Sequence, residues 1–285
     1  MTRPFCCDVC GSEKHEVFLT GCEDLYSGFS GRFQYVKCCD CQLVQEYPVP
    51  ENLGSYYERY QVHEKKSRFH EFMRWLLMSH AYYPCDEAIR GQRVLDFGSG
   101  DGWFLDRARQ AGAVCRGFEI NSEHAAALSA SLQLPVHSTW EELEKAGPFD
   151  VITMHFVLEH LRDAPHLIKR LGSLLAPGGK LYGIVPSIHS WEFKVFGKLW
   201  HGLDAPRHLI FPDETHLRRI AREAQLTLIE SRQVAIPSSL AGTLASLGKG
   251  GFSYKRFTLA IPVAWLFGLV RPKGNWCFTL QSNAR

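Results

Sequence analysis

The sequence lacks several features that would place it in common protein classes. Its 285 residues contain no uninterrupted apolar run of about 18 residues, which excludes an ordinary membrane-spanning helix. The N-terminal segment has no apolar core, so we expect no secretory signal peptide and a cytoplasmic protein. The net charge is only +2, too small to indicate a nucleic-acid binder. Because 45% of the residues are hydrophobic and 22% charged, the composition is that of a globular protein.

Disulfide bonds are also not expected, although the chain has ten cysteines, because a reducing compartment keeps cysteines as thiols. Two C-x2-C pairs stand near the N-terminus, Cys7 with Cys10 and Cys38 with Cys41. Each pair can offer two thiolates from one tight turn, and two pairs can surround Zn²⁺ as a tetrahedron. The pattern therefore predicts a structural zinc site without an open position for substrate, and the alternative is a set of buried thiols without metal.

The spacing of the two pairs carries further information. The 27 residues between Cys10 and Cys38 exceed the commonest spacing, and a β-hairpin between the pairs would explain the excess. Cys6 and Cys39 lie one residue out of register with the pairs and are interpreted as bystanders, although Cys39 could replace Cys38.

Three regions differ in composition. Residues 1–50 hold the cysteine pairs and are predicted to form a zinc-ribbon-like module, and residues 51–90 read as a helical linker or cap. From residue 91 to residue 285, short apolar runs alternate with helical patterns, which predicts the α/β class with a parallel sheet. Insertions into this domain are expected at about 187–212 and 235–274.

The predicted strands and helix ends of the third region can be stated in advance. A helix is expected to begin with Ser122 as its N-cap, and Pro177-Gly178-Gly179 is expected to form a turn. The predicted strands are 93–96, 114–118, 149–154, 180–185, 227–234 and 276–282.

A glycine-rich loop follows the first of these strands, in Val94-Leu-Asp-Phe-Gly-Ser-Gly-Asp-Gly102. Glycines there permit a tight turn and let a ligand approach the backbone. Trp103 stands where a dinucleotide-binding fingerprint requires glycine, which argues against NAD. Asp96 has the wrong charge to lie beside a phosphate, and the right charge to lie beside an ammonium or sulfonium group.

A carboxylate stands at the end of the next predicted strand. Glu119 lies seventeen residues after Gly102, and a carboxylate in that position can accept hydrogen bonds from both hydroxyls of a ribose. The glycine loop, Asp96 and Glu119 together predict a nucleoside cofactor that carries a positive charge.

Residues 91–285 resemble a class I S-adenosylmethionine-dependent methyltransferase, which has a Rossmann-like sheet. The resemblance rests on Val94-Leu-Asp-x-Gly-x-Gly-x-Gly102, on the stretches 149–154 and 157–160, and on Leu174-Leu-Ala-Pro-Gly-Gly179. Together with the cysteine pairs and Tyr56, Tyr57 and Tyr60, the pattern is similar to a bacterial subgroup that includes sugar C-methyltransferases.

The resemblance implies which residues bind S-adenosylmethionine. Asp96, Gly98 and Gly100 would line the methionine side, and Glu119 would hold the ribose. Trp140 would either stack on the adenine or serve as a packed aromatic residue. The full set of expected cofactor residues is Asp96, Gly98, Ser99, Gly100, Glu119, Ile120 and His155.

Residues that could assist methyl transfer lie in two clusters predicted to follow strands. His208, in Ala205-Pro-Arg-His208, is the expected general base because histidine titrates near neutral pH and a similar element occurs in the subgroup. Glu159 and His160 follow the strand at 149–154, and they either act in catalysis, cap the loop, or bind a divalent metal together with His208. Arg207 could hold an anionic group of the substrate, and Tyr57 could act in the site or pack between the modules.

The expected function is methyl transfer to a small-molecule acceptor, such as an anionic molecule, a sugar or a natural-product intermediate. One alternative uses the aminobutyl or carboxyl group of S-adenosylmethionine instead of its methyl group. Another is a zinc-ribbon-guided RNA methyltransferase, against which the net charge of −3 of residues 1–50 argues. The oligomeric state cannot be read from the sequence.

The apolar stretch Phe257–Val270 has basic residues on both sides, Lys255 and Arg256 before it and Arg271 and Lys273 after it. It is too short to span a bilayer. We expect burial in the core first, and the alternatives are the roof of an apolar pocket, a dimer contact, or contact with a membrane surface through residues 255–273.

Overall fold

The computed structural model of the protein describes residues 4–57, 86–247, 252–270 and 274–283. Among them are two β-sheets. The strands in chain order are β1 (His15–Cys22), β2 (Phe33–Cys38), β3 (Val44–Glu46), β4 (Arg93–Phe97), β5 (Val114–Phe118), β6 (Val136–His137), β7 (Phe149–His155), β8 (Leu175–Pro186), β9 (Ile210–Phe211), β10 (Leu226–Val234) and β11 (Asn275–Ser282).

The helices alternate with the strands of the larger sheet. In chain order they are α1 (Asp86–Ile89), α2 (Trp103–Gln110), α3 (Ser122–Leu132), α4 (Trp140–Ala146), α5 (Ala164–Ser173), α6 (Trp191–Phe196), α7 (Glu214–Glu223), α8 (Pro237–Ser246) and α9 (Tyr254–Val270).

The larger sheet has the strand order β10-β11-β8-β7-β4-β5-β6. Strands β4 to β8 pair in parallel, while β11 is antiparallel to both β8 and β10. The α/β class and the parallel sheet are thus confirmed. Because the carboxyl ends of parallel strands share one edge, the loops after β4, β5 and β7 open at the same side of the sheet.

Two local expectations about this sheet are wrong. The N-cap of α3 is Asn121, whose Oδ1 accepts a hydrogen bond from the His124 backbone N–H at 2.9 Å. Asn and Ser cap equally well, so composition alone did not separate the two positions. Pro177-Gly178-Gly179 does not precede the strand but forms a bulge inside β8, since Leu175 pairs with Phe149 and the pairing with β7 resumes at Lys180, opposite Val151.

The second sheet is formed by β1, β2 and β3 of the N-terminal region together with β9. Strands β1 and β2 form the predicted hairpin between the cysteine pairs. Strand β9 belongs to the predicted insertion 187–212, and its Phe211 pairs with Val44. Hydrophobic residues of both sheets pack in one continuous core that includes Val36, Leu95 and Ile152. The N-terminal module is therefore bound to the large sheet through shared strands and a shared core.

The apolar stretch 257–270 is not buried as expected. It forms most of α9, and within that helix only Ala264 is fully buried. Its inner face packs on Leu240 and Ala241 of α8, and its outer face is exposed. Among the described residues, no helix has both the length and the hydropathy needed to cross a bilayer. Most of the predicted linker, including Tyr60, lies outside the described residues.

Candidate active site

The glycine loop after β4 approaches the neighbouring loop so closely that it has no room for side chains. Gly98 has a φ of +79°, and a Cβ atom placed there would lie 2.5 Å from Cγ2 of Val157. Gly100 and Gly102 also have positive φ angles, and Gly102 is the N-cap residue of α2. The loop therefore turns tightly into α2 and presents bare backbone at the carboxyl edge of the sheet.

Asp96 lies on β4 beneath this loop and is 2% exposed. Its Oδ1 accepts a hydrogen bond from Thr153 Oγ1 at 2.7 Å, and the same oxygen lies 3.7 Å from Nδ1 of His155. The His155 ring packs against Phe104 with their centroids 4.8 Å apart. Asp96 and His155, predicted from separate segments, are thus brought together at the end of β4 and β7.

Glu119 follows β5 and is also buried. One of its carboxylate oxygens accepts a hydrogen bond from the Gly100 N–H, which ties the end of β5 to the glycine loop. Burial raises the pKa of Glu119, and the hydrogen bond from Gly100 opposes that increase. The adjacent Ile120 is 82% exposed, so it offers an apolar surface beside Glu119 that no described residue covers.

Two other expected cofactor residues have internal partners. The Ser99 hydroxyl donates to the Asp96 carbonyl oxygen at 2.9 Å and accepts from the Phe118 N–H at 3.2 Å, so it fastens the loop to β5. Trp140 packs against Phe97 and Phe118, and the Arg170 guanidinium lies 4.0 Å from its ring centroid. Of the two interpretations of Trp140, the contacts favour the packed aromatic residue.

The second predicted cluster forms around His208, which is buried. Its Nδ1 lies 2.9 Å from the Gly202 carbonyl oxygen, and a carbonyl oxygen only accepts hydrogen bonds. Nδ1 therefore carries the proton in the neutral ring, and Nε2 carries the lone pair. Nε2 lies 3.9 Å from Glu159 Oε1 and 3.8 Å from Asp204 Oδ2.

The same reasoning applies to His160. Its Nδ1 lies 3.0 Å from the Arg207 carbonyl oxygen and 3.1 Å from the Tyr57 hydroxyl, which leaves the lone pair on Nε2. The ring centroids of His160 and His208 lie 4.6 Å apart. Three possible ligand atoms lie within 4.8 Å of one another, one each from Glu159, His160 and His208. This spacing could also hold a cation.

The charges in this cluster follow from its burial. Burial lowers the pKa of His208 to about 3 and lowers the pKa of His160. Burial also raises the pKa of Glu159 well above its usual range, and neither oxygen of that carboxyl has a hydrogen-bond partner among the described residues. Burial therefore favours the uncharged forms of both histidines and of Glu159. Burial raises the pKa of Asp204, but Arg207 lowers it more, so Asp204 is ionised.

The expectation that Arg207 holds an anionic group of the substrate is wrong. Its side chain is fully buried and donates hydrogen bonds to Asp24 at 3.0 and 2.9 Å and to Asp204 at 3.1 and 2.6 Å. Its guanidinium is thus occupied by two carboxylates of the protein itself. Tyr56, buried nearby, packs between the modules.

Four residues at these sites were not identified from the sequence. His124 on α3 contacts the Gly100 carbonyl oxygen through Nε2 at 2.6 Å, and Thr153 holds Asp96. Asp24 and Asp204 hold Arg207. Only Asp204 could have been found from the sequence, because it lies three residues before Arg207 and four before His208. The other three residues make their contacts with segments that are distant in the sequence.

The predicted zinc ligands are brought together by the N-terminal sheet. Sγ of Cys7 lies 3.4 Å from Sγ of Cys41, and Sγ of Cys10 lies 3.5 Å from Sγ of Cys38. All four sulfur atoms lie within 4.8 Å of one another, while Cys6 and Cys39 are exposed and do not belong to the group. A tetrahedral zinc ion with Zn–S bonds of ~2.3 Å needs sulfur atoms roughly 3.8 Å apart, which these positions approach.

Comparison with known proteins agrees with the sheet and the glycine loop. The profile of a family described as "Methyltransferase domain" matches residues 65–231, more than half of the chain. The chain therefore belongs to this methyltransferase family, and its sheet is the Rossmann-like sheet of class I methyltransferases.

Similar proteins were also found among curated sequences. The chain is 31% identical over 101 residues to a ubiquinone biosynthesis O-methyltransferase of Coxiella burnetii, a match that covers 33% of this chain and 43% of that protein. A protein of the same name from Vibrio parahaemolyticus is 30% identical over 122 residues, which cover 39% and 52% of the two chains. The chain thus spans about half of the length of these relatives, or less.

Solved structures share the fold at low sequence identity. A methyltransferase from Archaeoglobus fulgidus, described as S-adenosylmethionine-dependent, superposes with a TM-score of 0.51 at 18% identity, covering 80% of this chain and all of that one. A cyclopropane synthase from Mycobacterium tuberculosis superposes with a TM-score of 0.50 at 17% identity, covering 80% and 88%. These likenesses concern the fold alone.

Proposed function

We propose that this protein is an enzyme that transfers the methyl group of S-adenosylmethionine to a small-molecule acceptor, with His208 as the general base. The family membership supports methyl transfer. The observation that carries the proposed mechanism is the tautomer of His208, whose lone pair on Nε2 stands in a buried, polar cluster beside Glu159.

The residues after β4 and β5 fit S-adenosylmethionine. The positive φ angles of Gly98 and Gly100 turn the loop so that its backbone can approach a ligand, and the buried carboxylate of Asp96 suits a group with positive charge. Glu119 would accept hydrogen bonds from ribose hydroxyls, and exposed Ile120 would cover an apolar ring. The bound cofactor supplies a sulfonium methyl group, which is already activated for displacement.

His208 would remove a proton from the acceptor. The ring is uncharged near pH 7, so the lone pair on Nε2 is available, but a pKa of about 3 makes the ring a weak base unless negative charge nearby supports its protonated form. Ionised Asp204, at 3.8 Å, would stabilise the positive charge that His208 then gains. Tyr57 and His160 lie on the other side of the cluster, and we assign them to positioning the segment around Arg207 and His208.

A base is needed when the attacking atom carries a proton that the acceptor holds tightly. A hydroxyl group is such an acceptor, since its oxygen attacks well only after the proton is withdrawn. The curated relatives are named O-methyltransferases, which agrees with a hydroxyl acceptor. A sugar or an aromatic ring can provide the hydroxyl.

The reaction type is tested by product analysis. The full chain is incubated with methyl-labelled S-adenosylmethionine and a panel of catechols, hydroquinones and nucleotide sugars. We expect label in an acceptor together with S-adenosylhomocysteine. Formation of methylthioadenosine would instead show use of the aminobutyl group, and label in added RNA in place of small molecules would support the RNA alternative.

The role of His208 is tested with His208→Ala and His208→Gln. Each should lower kcat by roughly 100-fold or more while calorimetry shows unchanged affinity for S-adenosylmethionine. Partial recovery at higher pH is expected, because hydroxide then replaces the lost base. If a chelator abolishes the activity of wild-type protein that keeps its fold and its cysteine-bound zinc, the Glu159, His160 and His208 cluster binds a metal and His208 is not the base.

We also propose that Cys7, Cys10, Cys38 and Cys41 bind a structural zinc ion. The convergence of their four sulfur atoms supports this proposal. Four thiolates leave no position for a substrate, so the metal would stabilise the N-terminal sheet and take no part in methyl transfer.

A further inference from the structure

Helix α9 presents an apolar surface of unusual extent. Leu259 is 70% exposed, Leu266 58% and Val270 75%. With Val263 they follow one another at intervals of four, three and four residues, so they form one face of the helix. Exposed apolar patches of this kind mark places where another surface binds.

The opposite face of α9 explains how the helix is held. Phe257, Ala260, Ile261 and Ala264 pack on α8, and the Tyr254 hydroxyl lies 3.3 Å from that of Tyr26. The helix is therefore anchored by its inner face and does not need its outer face for folding.

The charges around α9 identify what covers the outer face. From residue 231 to residue 285 the sequence has no Asp or Glu, whereas it has seven basic residues. Lys255 stands exposed in the first turn of α9, and Arg271 and Lys273 follow its last residue in the sequence. An exposed apolar face beside an exposed lysine, in a segment of the sequence without acidic residues, is complementary to an anionic lipid bilayer.

A second copy of the chain fits this face less well. A two-fold dimer places the same surface on both sides, so Lys255 of both copies would enter an interface to which residues 231–285 bring no Asp or Glu. The 17 residues of α9 extend about 25 Å, which suits a helix that lies in the plane of the headgroups. Trp265, exposed beside the apolar face, is a residue type that favours the membrane interface.

We propose that α9 is a membrane-surface anchor that binds the protein to anionic bilayers through Leu259, Val263, Leu266 and Val270. This inference does not rest on the proposed methyl transfer. It places the protein at the boundary between water and lipid.

The test is vesicle flotation with the full chain. Wild type should float with vesicles of phosphatidylcholine and phosphatidylglycerol, and much less with phosphatidylcholine alone. Leu259→Glu combined with Leu266→Glu should weaken binding about tenfold or more, because two charges would have to enter the headgroup region. Val114→Glu is the matched control, since Val114 is exposed at the start of β5, and it should bind like wild type.

Two further measurements keep the result decisive. Lys255→Glu should weaken binding to the anionic vesicles only, and this single variant serves if the double variant does not fold. Binding of S-adenosylmethionine should be unchanged in all three variants. The proposal is overturned if wild type does not float with anionic vesicles, if the double variant floats equally well, or if light scattering shows a dimer that the double variant dissociates.

Discussion

Arg207 and Asp24 form a fully buried, two-pronged ion pair between residues that are 183 positions apart, with N–O distances of 3.0 and 2.9 Å. The pair joins the N-terminal sheet to the segment that carries His208. The position of the proposed base thus depends on a contact between the first module and the insertion after β8.

The first prediction concerns the stability of this pair. Arg207→Ala should lower the free energy of unfolding by roughly 3–5 kcal/mol, because it leaves the buried charges of Asp24 and Asp204 without their partner. Arg109→Ala removes an exposed ion pair with Asp106 and should cost at most about 1 kcal/mol. Urea denaturation measures both values. Equal effects of the two substitutions would contradict the assigned role of Arg207.

The second prediction concerns Glu46, a buried residue of β3 whose carboxyl has no hydrogen-bond partner among the described residues. Burial raises its pKa to about 9, while Arg162 opposes the increase. Between the unfolded pKa of about 4.5 and the folded value, the folded protein keeps a proton that the unfolded chain has lost. Stability should therefore fall as the pH rises through this range.

Glu46→Gln removes this dependence. Between pH 6 and pH 8, the free energy of unfolding of wild type should fall with pH more steeply than that of Glu46→Gln. The difference between the two slopes should be ~1 kcal/mol per pH unit. Glu16→Gln, at an exposed glutamate on β1, should retain the slope of wild type. Urea unfolding at several pH values gives the comparison. Parallel curves for wild type and Glu46→Gln would show that Glu46 ionises normally in the folded protein.

The third prediction distinguishes two reasons why position 98 requires glycine, the lack of space for a side chain and the positive φ angle of the backbone. Gly98→Ala should weaken binding of S-adenosylmethionine about tenfold or more, since the new Cβ would displace Val157 and the loop with it. Gly91→Ala has a similar positive φ but no atom within 4 Å of the new Cβ. It should cost about 1–2 kcal/mol of stability and leave cofactor affinity unchanged, as measured by calorimetry.

The fourth prediction concerns the cysteine group. Cys38→Ser should lose bound zinc and lower the melting temperature, because the metal would hold both ends of the β1–β2 hairpin. Cys39→Ser, at the exposed neighbouring thiol, should retain one zinc ion per chain. Metal analysis of the purified variants measures the content. Zinc in the Cys38→Ser protein at the level of wild type would assign a different ligand set.

Residues close in sequence account for most of what could be predicted. The glycine loop and Asp96 lie within one strand-loop-helix unit, and their spacing alone indicated a cofactor site. The two cysteine pairs are also local, and they indicated the hairpin between them. Short apolar runs identified β4, β5 and β7 because parallel strands that are covered on both faces are mostly apolar.

Contacts between segments that are distant in the sequence could not be predicted. No residue near Arg207 in the sequence indicates its pairing with Asp24. The interpretation that Arg207 could bind an anionic group of the substrate was therefore wrong. For α9, burial was expected first and exposure only as an alternative, because an apolar helix in the core and one at a lipid surface have similar compositions.

The sequence by itself determined the class of fold, the glycine loop after β4 and the four candidate zinc ligands, because each depends on residue types at short, regular spacing. Only the tertiary structure decided that Arg207 is an internal ion-pair partner, that the Nε2 of His208 carries its lone pair beside Glu159, and that α9 faces outward. Burial and hydrogen bonding decide these properties, and both depend on which distant segments the fold brings together.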